Sequence, residues 1–235
     1  PYLYYERIGY YADTYTKTNK GTNKPKANLT NNNGYSYTWD NTITYQNVIK
    51  KDHNLNVMMG TSTYKSANEN SYIAVKDLPY NFKWHNLGAA GTEEARSSYE
   101  SQESLVSFMA RFNYGYKDKY LLTLTGRADG SSKLAKGHKW GFFPSAAIAW
   151  RIKNEKFLID KTWLDDLKLR VSYGVSGNNA VGAYSTLLGV ANTQYDFGGV
   201  NANGQYLNRI PNYDLGWEKS EEVNVGLDFS FLNNR

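Results

Sequence analysis

The sequence predicts an all-β fold, an antiparallel up-and-down β-barrel that spans a membrane, and three observations carry that reading. The first is a period of two between Ser107 and Ser176. Phe108, Ala110, Phe112, Tyr114 and Tyr116 alternate with Ser107, Met109, Arg111 and Asn113. Tyr120, Leu122 and Leu124 alternate with Thr123, Thr125 and Arg127, and Ala146, Ile148, Trp150 and Ile152 with Ser145, Ala147, Ala149 and Arg151. Leu167, Leu169, Val171, Tyr173 and Val175 alternate with Lys168, Arg170, Ser172 and Gly174. Such alternation marks strands with one apolar face. The second observation is that the apolar rows carry Tyr, Trp and Phe near the strand ends, where strands meet lipid headgroups. The third is parity. Long gaps near 13–35, 67–104, 128–141 and 177–214 fall on one side of an up-and-down sheet, and shorter ones near 49–53, 117–118 and 153–166 on the other. Long loops outside and short turns inside are the pattern of outer-membrane barrels, whereas a β-sandwich has no reason to sort its connections by parity.

Composition agrees with one β unit over 1–235. The 235 residues include 21 Tyr, 6 Trp and 9 Phe, with a mean hydropathy of -0.66. No apolar run approaches the roughly 20 residues of a transmembrane helix, which leaves strands as the only way to cross. The absence of Cys removes disulfides and thiolate metal sites. The net charge of +5 is spread over single Lys and Arg residues, with Lys50-Lys51 the one adjacent basic pair, so no stripe follows a nucleic-acid backbone.

In chain order, residues 1–12 read as a strand with aromatics on both faces. Asp13 to Gly34, rich in Asn, Lys and Gly, reads as an exposed loop. Tyr37, Trp39, Ile43 and Tyr45 mark a second strand, a turn at Lys50 to His53 follows, and Leu55, Val57 and Met59 mark a third. Thr61 to Ser104 reads as a long loop. Strands at 105–116 and 119–127 flank a Lys117-Asp118 turn, and Ala128 to Gly141 reads as a loop before strand 142–152. The connection from Lys153 to Asp166 has room for one helical turn. Strand 167–176, a Gly- and Asn-rich loop from Gly177 to Asp214, and a last strand carrying Val223, Val225, Leu227, Phe229 and Phe231 complete about eight strands.

Catalytic constellations are missing from the sequence, so no enzyme, cofactor or metal is expected. His53, His85 and His138 lack metal-ligand spacing and read as exposed or interfacial. Gly174-Val175-Ser176-Gly177-Asn178 has neither the second Gly nor the following helix of a nucleophile elbow. Glu93-Glu94 and Glu221-Glu222 are adjacent carboxylates that point to opposite faces of a strand. Asp129-Gly130-Ser131-Ser132 lacks the ligand pattern of a calcium loop and reads as a structural turn. Arg111, Asn113, Arg127, Arg151 and Arg170 all fall on the polar face. They are candidate lumen-facing residues that contact solute, or, for the arginines, partners of Asp and Glu from neighbouring strands.

An ordered set of segments resembles the SusC/RagA family of TonB-dependent outer-membrane transporters of the Bacteroidota. The set is Trp39-Asp40-Asn41-Thr42, His53-Asn54-Leu55-Asn56, Asn113-Tyr114, Lys119-Tyr120-Leu121-Leu122-Thr123, Arg127-Ala128-Asp129-Gly130-Ser131-Ser132, Phe143-Pro144-Ser145, Trp150-Arg151-Ile152 and Glu155-Lys156-Phe157-Leu158. Leu167 to Gly174, Gly177-Asn178, Tyr184, Trp217-Glu218-Lys219-Ser220 and Asn224 to Phe229 continue it. Leu134 stands where the family usually has an aromatic. The resemblance implies a 22-stranded barrel, of which this chain is an interior piece, with the plug domain and signal peptide outside it. It further implies an outer-membrane location, energy from the TonB complex, a SusD-like surface lipoprotein as partner, and an oligosaccharide, glycan or peptide as solute. Under it, Tyr99, Tyr184, Tyr195, Phe197 and Tyr206 are loop aromatics that stack on sugar rings or pack within their loops. The alternative from the residues themselves is a soluble all-β carbohydrate-binding or adhesin module, with the aromatic rows as its core.

Overall fold

The computed structural model describes residues 1–15 and 24–231. It is built of antiparallel strands: β1 (Tyr2–Ala12), β2 (Lys26–Ile49), β3 (His53–Lys76), β4 (Thr92–Tyr116), β5 (Tyr120–Ser131), β6 (Trp140–Arg151), β7 (Leu164–Asn178), β8 (Gly189–Phe197), β9 (Val200–Arg209) and β10 (Glu218–Phe231). Eight form one sheet in the order β1-β2-β3-β4-β5-β6-β7-β10, and β8 and β9 form a separate two-stranded sheet. Two single-turn 3₁₀ helices, Leu87–Ala89 and Ile152–Asn154, are the described helical segments, and neither is long enough to cross a membrane.

The chain divides into two compact units. The first comprises Pro1–Thr38 and Tyr64–Glu103. Here β1 pairs with β2 from Tyr2↔Ser36 to Ala12↔Lys26. A small core of Ala27, Val75 and Leu78 is covered by Tyr11, Ile73, Trp84, Leu87 and Ala90, because the 77–91 connection folds back onto the sheet. Asp77 and Leu78 donate their amides to the Pro25 carbonyl, at 3.0 and 3.5 Å. The Trp84 ring lies where a Cβ on Gly9 would stand, 2.3 Å from its nearest atom, so the glycine is what admits the indole.

The second unit comprises Trp39–Thr63 and Ser104–Arg235, and in it register sorts the two faces. Tyr114, Leu122, Ile148, Val171 and Val225 lie opposite one another across β4, β5, β6, β7 and β10. So do Phe112, Leu124, Ala146, Tyr173 and Val223. Among the described residues no second layer covers these rows. Ile148 is 57% exposed and Val225 72%, whereas the core of a sandwich buries such residues. Among the described residues these rows do not form the core that a soluble module needs, and they fit a lipid face. Aromatics close both ends. Tyr116, Tyr120 and Trp150 stack at 6.4 and 6.5 Å between centroids, and Phe108 stacks on Trp140 at 6.1 Å. From Trp140 to Trp150 a strand rises about 34 Å, which at a tilt of about 40° projects to about 26 Å, close to the roughly 25 Å apolar band of an outer-membrane barrel.

Three expected loops differ. Lys26 to Gly34 belongs to β2, with 16–23 outside the described residues; most of Thr61 to Ser104 belongs to β3 and β4; and Gly177 to Asp214 contains the β8–β9 hairpin. Strands β2, β3 and β4 reach 24, 24 and 25 residues, more than double the roughly ten that cross a bilayer. Their added lengths are mostly polar, with apolar residues such as Ala27, Ile73 and Val75 confined to one end, and so show no sustained alternation. The hairpin turns on Gly198 and Gly199 at φ 65° and 89°, the two left-handed residues of a type I′ turn. Strand β5 likewise continues through Asp129 and Gly130 to Ser131, so the expected turn there begins only at Ser132. The 152–163 connection holds one 3₁₀ turn, as its length allows.

Because both faces at mid-strand are open, a charge distinguishes them. Leu124→Arg should cost about 2–4 kcal/mol in the membrane-inserted barrel and Thr125→Arg close to nothing, read from denaturation midpoints of the refolded full-length receptor.

Candidate functional site

The polar face of the second unit is the candidate site, and the residues that line it follow from strand parity. Arg111 lies opposite Thr125, Asn113 opposite Thr123, and Thr125 opposite Ser145. Asn113 accepts a hydrogen bond from Thr123 Oγ1 at 2.9 Å. Three of the four arginines are engaged. Arg127 Nε donates to both carboxylate oxygens of Asp129 at 2.8 Å, and its Nη2 donates to Ser107 Oγ at 3.0 Å. Arg170 reaches Asp228 at 3.3 Å, where Lys168 also binds at 3.0 Å. Arg151 Nη1 donates to Asp118 at 2.6 Å. Arg111 has no hydrogen bond or ion pair to any described residue, so it is the arginine of this set whose guanidinium stands open on the face.

The Arg127 cluster is the best-shielded polar group. Ser107, Asp129 and Ser131 are buried, and Asn179 Nδ2 donates to Ser131 Oγ at 3.0 Å. Above it the 132–139 loop folds inward, with Leu134 only 1% exposed. Ala135 donates its amide to Leu215 at 3.0 Å and Trp217 Nε1 donates to the Lys139 carbonyl at 2.9 Å. Phe143, on the polar face, packs edge-on against Trp217 at 5.1 Å. It occupies the space beside Gly177, where a Cβ would lie 2.2 Å from the ring. This knot ties loop 132–139 to the segment before β10. The sequence reading missed this knot; the polar-face position of Phe143, which breaks the alternation, is the signal that could have found it.

At the opposite strand ends Glu155 collects three donors: Lys119 Nζ at 2.9 Å, Tyr120 hydroxyl at 2.7 Å and Trp150 Nε1 at 3.1 Å. These hold its carboxyl down at about 2, Lys119 first and then Tyr120 and Trp150. The indole and phenol of the aromatic row are thus satisfied at its polar edge. The short turns meet there as well. Lys117 donates its amide to Asp52 at 2.7 Å, and His53 Nδ1 lies 2.6 Å from the Tyr114 hydroxyl. His85 sits against Trp84 with ring centroids 5.2 Å apart, and His138 lies 4.0 Å from Asp214. Among the described residues no cluster of His, Asp and Glu could hold a metal ion.

The five aromatics expected on loops do not form one group. Tyr99 is a residue of β4 and not of a loop. Tyr184 lies in a turn at φ 62°. Tyr195, Phe197 and Tyr206 do come together, because register places Tyr195↔Ala202, Phe197↔Val200 and Ala191↔Tyr206 on one face of the β8–β9 hairpin. Tyr195 and Phe197 are tilted neighbours at 6.4 Å. The other hairpin face is an amide ladder, in which Gln205 donates to Asn192 at 3.1 Å.

Two outcomes follow. Arg127→Ala strands the buried Asp129 carboxylate and Ser107 hydroxyl and should cost about 1–3 kcal/mol, while Arg111→Ala leaves stability near wild type; denaturation midpoints of the full-length receptor compare them. Glu155 titrates lower folded than its unfolded value of 4.5, so its contribution is complete above that value and lost as pH falls towards about 2. The stability gap between wild type and Glu155→Gln should close across that window and stay constant above it.

Comparison with known proteins agrees with this geometry. The family model described as TonB dependent receptor-like, beta-barrel matches residues 2–235. TonB-dependent receptor P3 of Formosa agariphila is 37% identical over 184 residues, covering 78% of this chain and 18% of that protein. TonB-dependent receptor SusC of Bacteroides thetaiotaomicron is 43% identical over 148 residues, covering 60% of this chain and 14% of its own length. The structure of the RagAB peptide transporter superposes with a TM-score of 0.87 at 24% identity, over 99% of this chain and 26% of that one. The chain thus spans about a fifth of the length of the curated relatives it matches. A match of the family model over nearly every residue, on a sheet with one lipid-type face and one polar face, establishes that the chain belongs to the TonB-dependent receptor-like β-barrel family.

Proposed function

We propose that this chain forms part of the wall of a SusC-like transporter that imports oligosaccharides or peptides across the outer membrane, with a SusD-like lipoprotein as surface partner and the TonB complex as energy source. The observation that supports it most is the sorting of faces by register: lipid-type rows between two aromatic belts on one side, and a continuous polar face bearing Arg111, Asn113, Arg127, Arg151 and Arg170 on the other. In a closed barrel the polar face lines the lumen. Arg127, Arg151 and Arg170 then act as wall structure through their carboxylate partners, and Arg111 with Asn113 is the pair open to passing solute. On the long-loop side, Tyr195, Phe197 and Tyr206 offer an apolar hairpin face to a sugar ring or an apolar peptide side chain. Similarity to SusC supports membership of this receptor class, and the fold shared with the RagAB peptide transporter keeps peptide beside glycan as cargo.

The full-length receptor tests this in two steps. Its outer-membrane band should migrate faster unboiled than boiled, as a closed barrel does; a soluble, heat-insensitive band would end the transporter reading. Combined Tyr195→Ala, Phe197→Ala and Tyr206→Ala should then lower uptake of labelled oligosaccharide or peptide at least several-fold with the heat-modifiable band intact. Unchanged uptake of both removes the hairpin from the solute path.

A further inference from the structure

One charge on the polar face is not met by the wall around it. Arg111 is exposed, and it faces hydroxyls where the other arginines of the set reach carboxylates: Thr125 stands opposite it on β5 and Ser145 beyond that on β6. Neither β6 nor β3 from His53 to Asn68 contains an Asp or Glu. Asp129, four residues along β5 from Thr125 and about 13 Å away, is already held by Arg127. Two residues along β4 on the same face, Asn113 commits its carbonyl oxygen to Thr123 and keeps its side-chain N–H groups to donate. We propose that Arg111 and Asn113 bind a carboxylate carried by the passing solute, so that the wall selects acidic peptides or acidic oligosaccharides over neutral ones. The inference rests on the transporter reading above and names the class of its cargo.

The donor set decides the chemistry of the ligand. A guanidinium is a planar fork of N–H donors that matches the two oxygens of a carboxylate, and such charge-assisted hydrogen bonds are about twice as strong as neutral ones. Neutral sugars and amidated peptides offer it only hydroxyl and carbonyl oxygens. The hydroxyls of Thr125 and Ser145 add donors on the same level without adding negative charge. Further along this face Lys168 and Arg170 share Asp228 at the rim of a hollow of about 350 Å³, floored by Ala147, Ala149 and Ser172 and bounded by Thr123. The wall below Arg111 thus has room for the rest of a solute and cations that favour an acidic one.

Depth decides where the carboxylate comes from. Arg111 lies three residues from Phe108, in the aromatic belt on the long-loop side, and five from Tyr116 at the other belt, about 10 and 17 Å along the strand. Long loops mark the outer side of such barrels, so Arg111 stands in the half of the wall that an entering solute meets first. A carboxylate of the plug domain is the competing source, and it would make Arg111 a determinant of stability in place of specificity.

The test is receptor-dependent uptake, the difference between native cells and cells lacking the full-length receptor, for two pairs of labelled probes. One pair is two C-terminally amidated pentapeptides that differ by a single Asp for Asn; the other is an oligogalacturonate and the neutral oligogalactose of equal length. Wild type should take up the acidic member of at least one pair about tenfold faster than its neutral counterpart. Arg111→Gln should bring that ratio close to unity and Arg111→Glu should invert it, with the boiling shift and the denaturation midpoint of wild type retained. Equal uptake within both pairs, or a ratio that survives Arg111→Gln, overturns the proposal while the importer reading stands. Uptake of neither acidic probe overturns it as well. A lowered midpoint in Arg111→Gln with the ratio unchanged gives the guanidinium to the plug domain and not to the solute. Absence of the boiling shift in wild type defeats the barrel reading itself, a separate result.

Discussion

The constraint on which the rest depends is backbone pairing without water. Inside a bilayer an unpaired peptide group costs several kcal/mol, so every wall strand must give its N–H and C=O groups to its neighbours. Antiparallel pairing then leaves one degree of freedom, the register, and a slip by one residue would send each apolar row to the wrong side. From β4 through β10 the register holds Tyr114, Leu122, Ile148, Val171 and Val225 on one level and one face. The same choice puts Arg111, Arg127, Arg151 and Arg170 on the other.

Once register is set, the polar face has to resolve its own charges. Arg127 does so within its strand, two residues from Asp129. Arg170 and Lys168 share Asp228 across the β7–β10 pair, and Arg151 reaches the Asp118 turn. Three arginines thus serve the wall. Arg111, opposite Thr125 and Ser145 rather than a carboxylate, remains available, which makes its position in the register the reason it differs from the others.

The two ends of the strands are finished differently. On the short-turn side the aromatic row is tied by Glu155, which accepts from a lysine, a phenol and an indole at once. On the long-loop side Phe143 packs edge-on against Trp217, whose indole is tied to the Lys139 carbonyl of the 132–139 loop. The apolar row also has a gap of small residues, which exists because the β4–β5 register sets Ala110 opposite Gly126, next to Ala128.

Alternation by itself determined the fold class, the membrane-level strands and which arginines share a face, because side-chain period and burial are local properties of a strand. It was silent on the outer halves of β2, β3 and β4 and on β8 and β9, whose residues are polar or mixed on both faces. Their strands are held by partner backbones, and nothing in a polar segment announces its partner. The Phe197-Gly198-Gly199-Val200 run did carry a hairpin signal, legible through the need for two left-handed residues. The tertiary structure alone decided which arginine is open, that Tyr195, Phe197 and Tyr206 share a surface while Tyr99 belongs to a strand, and where small residues align into a gap. Each of these depends on contacts between strands, whose register is set jointly by all the pairings in the sheet and by no single segment.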